Sequence, residues 1–135
     1  MTYSGDLDES AALSRLRSRL FTVNFGLGEI WLVFNDFELS FGGRVFITTE
    51  GETTDIEVGD QPQDQLGIAS LLLPALGSKC NAIDIVDGEL SMSLEGWGHI
   101  VLPNEELPYE KYQLTLQDGT FYILDLNGDV QRFGA

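Results

Sequence analysis

The chain has 135 residues, 43% of them hydrophobic and 10% aromatic, enough for one core and too few for two independently folding units, so residues 1–135 are read as a single domain. Twenty-two acidic residues against seven basic ones give a formal net charge of −15, a surface that repels nucleic acid and anionic membranes and favours a basic partner. No leader pattern opens the chain, its longest apolar run, residues 68–76, is interrupted by Ser70 and Pro74, and one cysteine, Cys80, fits a reducing compartment; the expectation is a cytoplasmic protein.

Asp6-Leu7-Asp8-Glu9 places a capping residue three positions before a glutamate, and Leu13, Leu16 and Leu20 recur at helical spacing. This predicts an amphipathic N-terminal helix over about residues 7–18 that covers the sheet that follows. Arg15, Arg17 and Arg19 neutralise this opening segment, so the rest of the chain carries the whole −15.

From Thr22 to Val58 the period is two. Phe21, Val23 and Phe25 alternate, residues 29–34 form a dense apolar strand, and Phe37, Leu39 and Phe41 alternate again. Asn35-Asp36 and Gly42-Gly43 read as tight turns, the second leading into a strand over 45–49. A strand over about 53–58 carries Asp55 and Glu57 on one face and Ile56 and Val58 on the other, which predicts a half-exposed position. Residues 59–65 are a polar linker or loop. Leu66, Ala69, Leu73 and Leu76 share a helical face, and with Pro74 against a continued helix the expectation is a short central helix that ends near Leu72 and is closed by Gly77.

The second half is again strand-like. Ile83 and Ile85 lead to Asp87-Gly88; Leu90, Met92 and Leu94 alternate up to Glu95-Gly96; residues 99–102 follow. Tyr112, Leu114 and Leu116 run into Asp118-Gly119, residues 121–124 return, and Asn127-Gly128 turns the chain into residues 130–133, three segments that pair most simply as a meander. Residues 38–50 and 89–105 echo each other, which suggests a pseudo-repeat of two helix-plus-hairpin units. The fold expected is α+β: mostly antiparallel sheet, curved or closed into a partly open barrel, with an N-terminal helix and a short central one.

Motifs for chemistry are sparse. Cys80 and His99 are single representatives of their types and would need the fold to bring them together. Paired carboxylates are too plentiful to be diagnostic; Glu95 close to Trp97 is the most suggestive local pair, since an indole can stack on a sugar, yet Trp97 between Gly96 and Gly98 reads equally as a ring folded over its turn. Residues 125–129 begin like a calcium loop, but Val130 stands where such a loop needs glycine, and a hairpin turn is the better reading. No phosphate-binding loop or dinucleotide fingerprint occurs. The expectation is a non-enzyme, with no catalytic residues, metal or cofactor.

What remains is an interaction surface. Glu50, Glu52, Asp55, Glu57, Asp60 and Asp64 crowd into fifteen residues, a field that would steer a positively charged protein toward the chain. Charge gives rate and complementarity, whereas affinity needs an anchor; Trp31, Trp97 and Tyr112 are candidates whose simpler role is core packing.

Several segments of the second half carry a resemblance: Leu73, Leu76 and Gly77 before a strand, Gly88-Glu89-Leu90-Ser91-Met92 in a hairpin, His99-Ile100-Val101-Leu102-Pro103 before Tyr109-Glu110-Lys111-Tyr112-Gln113-Leu114, and Gln117-Asp118-Gly119-Thr120. Over about its last two thirds the chain resembles small uncharacterised bacterial domains of the immunity-like class found among toxin systems, in which a tryptophan often stands at the place of Tyr112. The resemblance implies a protein that binds and inhibits a toxin, and the acidity suits a basic nuclease toxin. It transfers no catalytic residue. The alternatives are a structural or adaptor domain that oligomerises, as a homodimer for instance, and a small carboxylate-dependent hydrolase.

Overall fold

The computed structural model describes residues 13, 15–59 and 62–134, with the side chains of 62–65 left out. The strands are β1 (Leu20–Gly26), β2 (Glu29–Phe34), β3 (Phe37–Phe41), β4 (Gly43–Thr49), β5 (Glu52–Val58), β6 (Cys80–Val86), β7 (Glu89–Leu94), β8 (Gly98–Leu102), β9 (Tyr112–Leu116), β10 (Phe121–Leu124) and β11 (Val130–Phe133). Helix α1 (Pro62–Leu72) and a 3-10 turn (Leu73–Ala75) connect β5 to β6.

The strands do not form one curved sheet or a partly open barrel, as the sequence led us to expect. They form two open antiparallel sheets, one of six strands in the order β1-β2-β3-β9-β10-β11 and one of five in the order β5-β4-β8-β7-β6. The departure begins at Gly42-Gly43. This pair is no hairpin turn, since β3 and β4 belong to different sheets, and the chain crosses between them there. Gly43 has φ +72 and is buried, a combination that suits a residue without Cβ. The return crossing is longer and occupies residues 103–111.

The N-terminal helix is also corrected. Residues 7–12 and 14 lie outside the described residues, and the part within them is not helical at its end: Arg15 is in a turn and residues 16–18 run irregularly into β1. The backbone here has a better partner than its own turn. Leu20 N–H donates to the Ser78 carbonyl and Cys80 N–H to that of Ser18, both at 2.9 Å, and Arg19 bridges Lys79 antiparallel. Leu16 and Leu20 are still buried, but Leu20 is so as the first residue of a strand.

The central helix ends at Leu72 as its sequence predicts, because Pro74 has no amide hydrogen to continue it, and Gly77 follows at φ +85. It begins earlier than expected, at Pro62 within the supposed linker. Its buried face is also different: Ile68, Leu72 and the following Ala75 are fully buried, whereas Leu66, Leu73 and Leu76 are exposed. The helix end is pinned from below by Trp97, whose indole Nε1 donates to the Leu71 carbonyl at 3.0 Å.

The echo between 38–50 and 89–105 is not a structural equivalence, since β7 and β8 adjoin within one sheet while β3 and β4 do not. A different correspondence holds. Leu20 faces Phe34 and Gly26 faces Glu29 across β1 and β2; Cys80 faces Leu94 and Val86 faces Glu89 across β6 and β7, each residue sixty positions on. Both hairpins carry an irregularity at the same place, Leu20/Thr22 and Cys80/Ala82. Each half contributes a three-stranded meander to one sheet and its closing strands to the other, joined through β3·β9 and β4·β8.

Alternation places Ile30, Leu32, Leu39, Phe41, Tyr112 and Leu114 of the first sheet, and Val45, Ile47, Leu90, Met92, Ile100 and Leu102 of the second, in one buried cluster. Among the described residues no helix is long and apolar enough to cross a membrane.

Replacing Gly43 with alanine tests the crossing. The added Cβ would sit 2.5 Å from Glu105 Oε1 and 2.9 Å from Leu107 Cδ1, at a positive φ that itself costs about 1–2 kcal/mol. Urea unfolding of Gly43→Ala should therefore show a loss of at least that size, against a gain of about 0.5–1 kcal/mol for Gly67→Ala, which lies inside helix α1 where a Cβ meets nothing within 4 Å.

Candidate functional site

The acids singled out in the sequence divide when the chain folds. Strand β5 is an edge of the five-stranded sheet, and Glu52 to Asp55 along it are exposed, as is Glu57. Register sets their faces: Asp55 lies opposite Phe46 and Glu57 opposite Arg44 on the outer side, while Glu52 shares the parity of Ile56 and Val58. Glu50 is in the β4–β5 turn at φ +52. Asp60 lies outside the described residues, and Asp64 falls in α1 where only the backbone is described. Arg44 pairs with Asp55, Nε to Oδ1 at 3.3 Å, with both side chains about half exposed, so this contact is of small energy. The acids of β5 thus form a ribbon along a sheet edge, with Arg44 paired to one of them.

Sequence reasoning missed the centre next to this ribbon. Lys111 is 1% exposed although it is charged, and it lies where the return crossing passes over Gly43. Its Nζ donates to the Arg44 carbonyl and to Glu105 Oε1, and the same Glu105 oxygen accepts from the Arg44 amide at 2.6 Å. Burial acts to raise the Glu105 carboxyl, but the bonds from Lys111 and the Arg44 amide outweigh it and hold the group below the ordinary carboxylate range. At Lys111 burial prevails over its partner and depresses the ammonium below the usual lysine value. In the sequence, Lys111 amid Glu105, Glu106 and Glu110 was the available signal: a lone cation in an acidic stretch.

Beside this clamp a cleft of about 470 Å³ opens at the end of the six-stranded sheet. The β1–β2 turn, with Leu27, Gly28 and Glu29, forms one side, residues 109–111 the other, and Ser40 and Gln113, opposite one another across β3 and β9, lie between. Glu29 is half-buried, and burial raises its carboxyl. Tyr109 is 44% exposed; burial, followed by the charges of Glu105, Glu57 and Glu29, raises its phenol. The cleft and the ribbon adjoin: Gly28 N–H donates to the carbonyl of Gly59, the residue after β5, at 3.1 Å.

The other sequence candidates lie apart. Cys80 is buried on the inner side of β6, and burial pushes its thiol up to about 11, so it is protonated at neutral pH. His99 is exposed on the outer side of β8, the face opposite to Cys80. Glu95 is exposed in the β7–β8 turn, and Trp97 turns inward to the helix rather than over that turn. Asp125 accepts from the amides of Asn127 and Asp129 through Oδ1 and from Gln131 Nε2 through Oδ2, an Asx turn that shapes the last hairpin. Tyr112 is a core residue whose hydroxyl donates to the Gly88 carbonyl at 3.0 Å; Trp31 is half-buried on the outer face of β2. Among the described residues no group of three or more His, Cys, Asp or Glu side chains is arranged to hold a metal ion.

The chain matches no protein-family model, no curated protein and no solved structure.

The clamp makes a prediction. Glu105→Gln leaves the sealed ammonium without its counter-charge and should cost about 3 kcal/mol in chemical denaturation, whereas Lys111→Met combined with Glu105→Leu should recover most of that loss. Because the folded Glu105 carboxyl lies below the 4.5 of an ordinary glutamate, its contribution is complete above that pH and declines as pH falls through the folded value. Glu105→Gln should remove this limb of the acid unfolding profile.

Proposed function

We propose that this chain is an acidic interaction protein of the cytoplasm that binds a basic protein along β5, in the manner of an immunity protein that inhibits a basic toxin. One observation carries the reading: an exposed edge strand that presents Glu52, Asp55 and Glu57, extended by Glu50 at its turn, with Arg44 as the neighbouring cation. Like charges of this density oppose pairing of β5 with a second β5, yet they attract a cationic surface and raise its rate of encounter. A nuclease toxin suits such a surface, because a cleft that receives phosphates must be positive. The overall charge of −15 acts in the same direction at long range and keeps nucleic acid itself away.

A second reading, an adaptor that associates with its own copy, draws on the outer face of the six-stranded sheet. Phe121 and Phe133 stack there with centroids 5.1 Å apart, and Phe133 is 40% exposed. Sedimentation separates the two readings: a monomer at micromolar concentration favours the first, and a dimer dissociated by Phe133→Ser favours the second.

The main reading is tested by affinity capture from the native cell with the wild-type chain and with a Glu50→Gln, Glu52→Gln, Asp55→Asn, Glu57→Gln variant. The expected result is a basic protein held by the wild type, released by salt, and bound about tenfold or more weakly by the variant at low ionic strength. Binding that is the same from low to high salt, or the same in the variant, rejects it.

A further inference from the structure

The ribbon on β5 supplies attraction and lacks an anchor, since its side chains are exposed and Asp55 already has Arg44. The concave site that adjoins it has the features an anchor requires. Tyr109 presents an accessible ring, with Glu29 on the facing turn and Glu110 next to it, both lining the same cleft. Lys111 lines the cleft too, but it does not neutralise it: its ammonium is turned away to the Arg44 carbonyl and Glu105. Gly42 keeps the two sides close, for a Cβ there would lie 2.6 Å from the Gly28 carbonyl and 3.2 Å from Tyr109 Cε2.

We propose that this cleft receives an arginine side chain of the cationic partner, its guanidinium laid on the Tyr109 ring and paired with the carboxylates of Glu29 and Glu110. The inference rests on the reading of the chain as an acidic interaction protein and adds to it the residue type recognised and the place where it is held. Arginine fits better than lysine for two reasons. A planar guanidinium stacks on an aromatic face and meets carboxylates through two parallel donors, and it loses less hydration than an ammonium on entering a partly closed site. The charge of Glu57 acts on Tyr109 from the end of β5, so a basic segment lying along the ribbon would be led to the cleft. The volume of about 470 Å³ accommodates the side chain together with the backbone that carries it.

The test uses the full chain and an acetylated, amidated hexa-arginine peptide, with hexa-lysine as comparison, followed by calorimetry at low ionic strength. Tyr109→Ala should weaken hexa-arginine by about tenfold and Tyr109→Phe should restore it, because the ring rather than the hydroxyl makes the contact. Glu29→Gln with Glu110→Gln should weaken it by a similar factor, and this pair of near-isosteric changes carries the test if Tyr109→Ala fails to fold. Hexa-lysine should bind more weakly than hexa-arginine and respond less to the loss of the ring. If hexa-arginine binds, is released by salt and is weakened by the β5 substitutions while every cleft variant equals the wild type, the cleft assignment is overturned and the interaction reading stands. If hexa-arginine does not bind at low salt at all, both are overturned.

Discussion

The ammonium group of Lys111 ties together the two places where the chain changes sheets. It donates to the backbone of Arg44 just after the first crossing, and to Glu105 within the second, while Glu105 returns to the amide of the same Arg44. Gly43 allows this approach because it has no side chain to put between the two segments. A buried cation is costly, and the cost is offset by a backbone carbonyl and by a carboxylate that the Arg44 amide holds in place, so the clamp specifies a position more than it adds stability. That position matters twice: it fixes how the return crossing lies over the first, and it directs residues 109–111 along the cleft while leaving Tyr109 outward.

The acidic field follows from the same geometry. The first crossing places β5 at the free edge of the five-stranded sheet, and the alternation of a strand puts Asp55 and Glu57 outward. Lys111 withdraws its charge into the clamp, away from the acids around Tyr109. A chain with 22 acids and seven bases thus carries part of its negative charge next to a concave site lined by Tyr109.

Local features were legible in the sequence and long-range ones were not. Alternation of Phe37, Leu39 and Phe41, or of Leu90, Met92 and Leu94, identifies strands because the period of a strand is a property of neighbouring residues; Asp87-Gly88 announces its turn through the positive φ that both residues adopt. Pro74 marks the helix end for a covalent reason. By contrast, Gly42-Gly43 has the composition of a hairpin turn and acts as a crossing, and nothing local distinguishes the two. The leucines at 13, 16 and 20 have helical spacing, yet the backbone at 18–20 is claimed by residues 77–80, a pairing set by tertiary structure. Leu66, Leu73 and Leu76 likewise share a face that the helix leaves exposed, because Ile68, Leu72 and Ala75 meet the sheets. Of the six acids singled out, Glu50, Glu52, Asp55 and Glu57 lie on one turn and edge strand; the cleft was missed, since Glu29, Tyr109 and Gln113 are brought together only by strand order.

The exchange of closing strands between the halves bears on how the molecule is made. On the ribosome, β3 emerges about seventy residues before β9, the strand that will cover its open edge, and β4 waits for β8 in the same way. A nascent first half would hold a meander and a detached hairpin with no shared sheet. Cooperative structure therefore arrives late in synthesis, assembly is governed by distant pairings and is slow for a chain of this size, and the net negative charge keeps unfinished edges of neighbouring molecules apart in the interval.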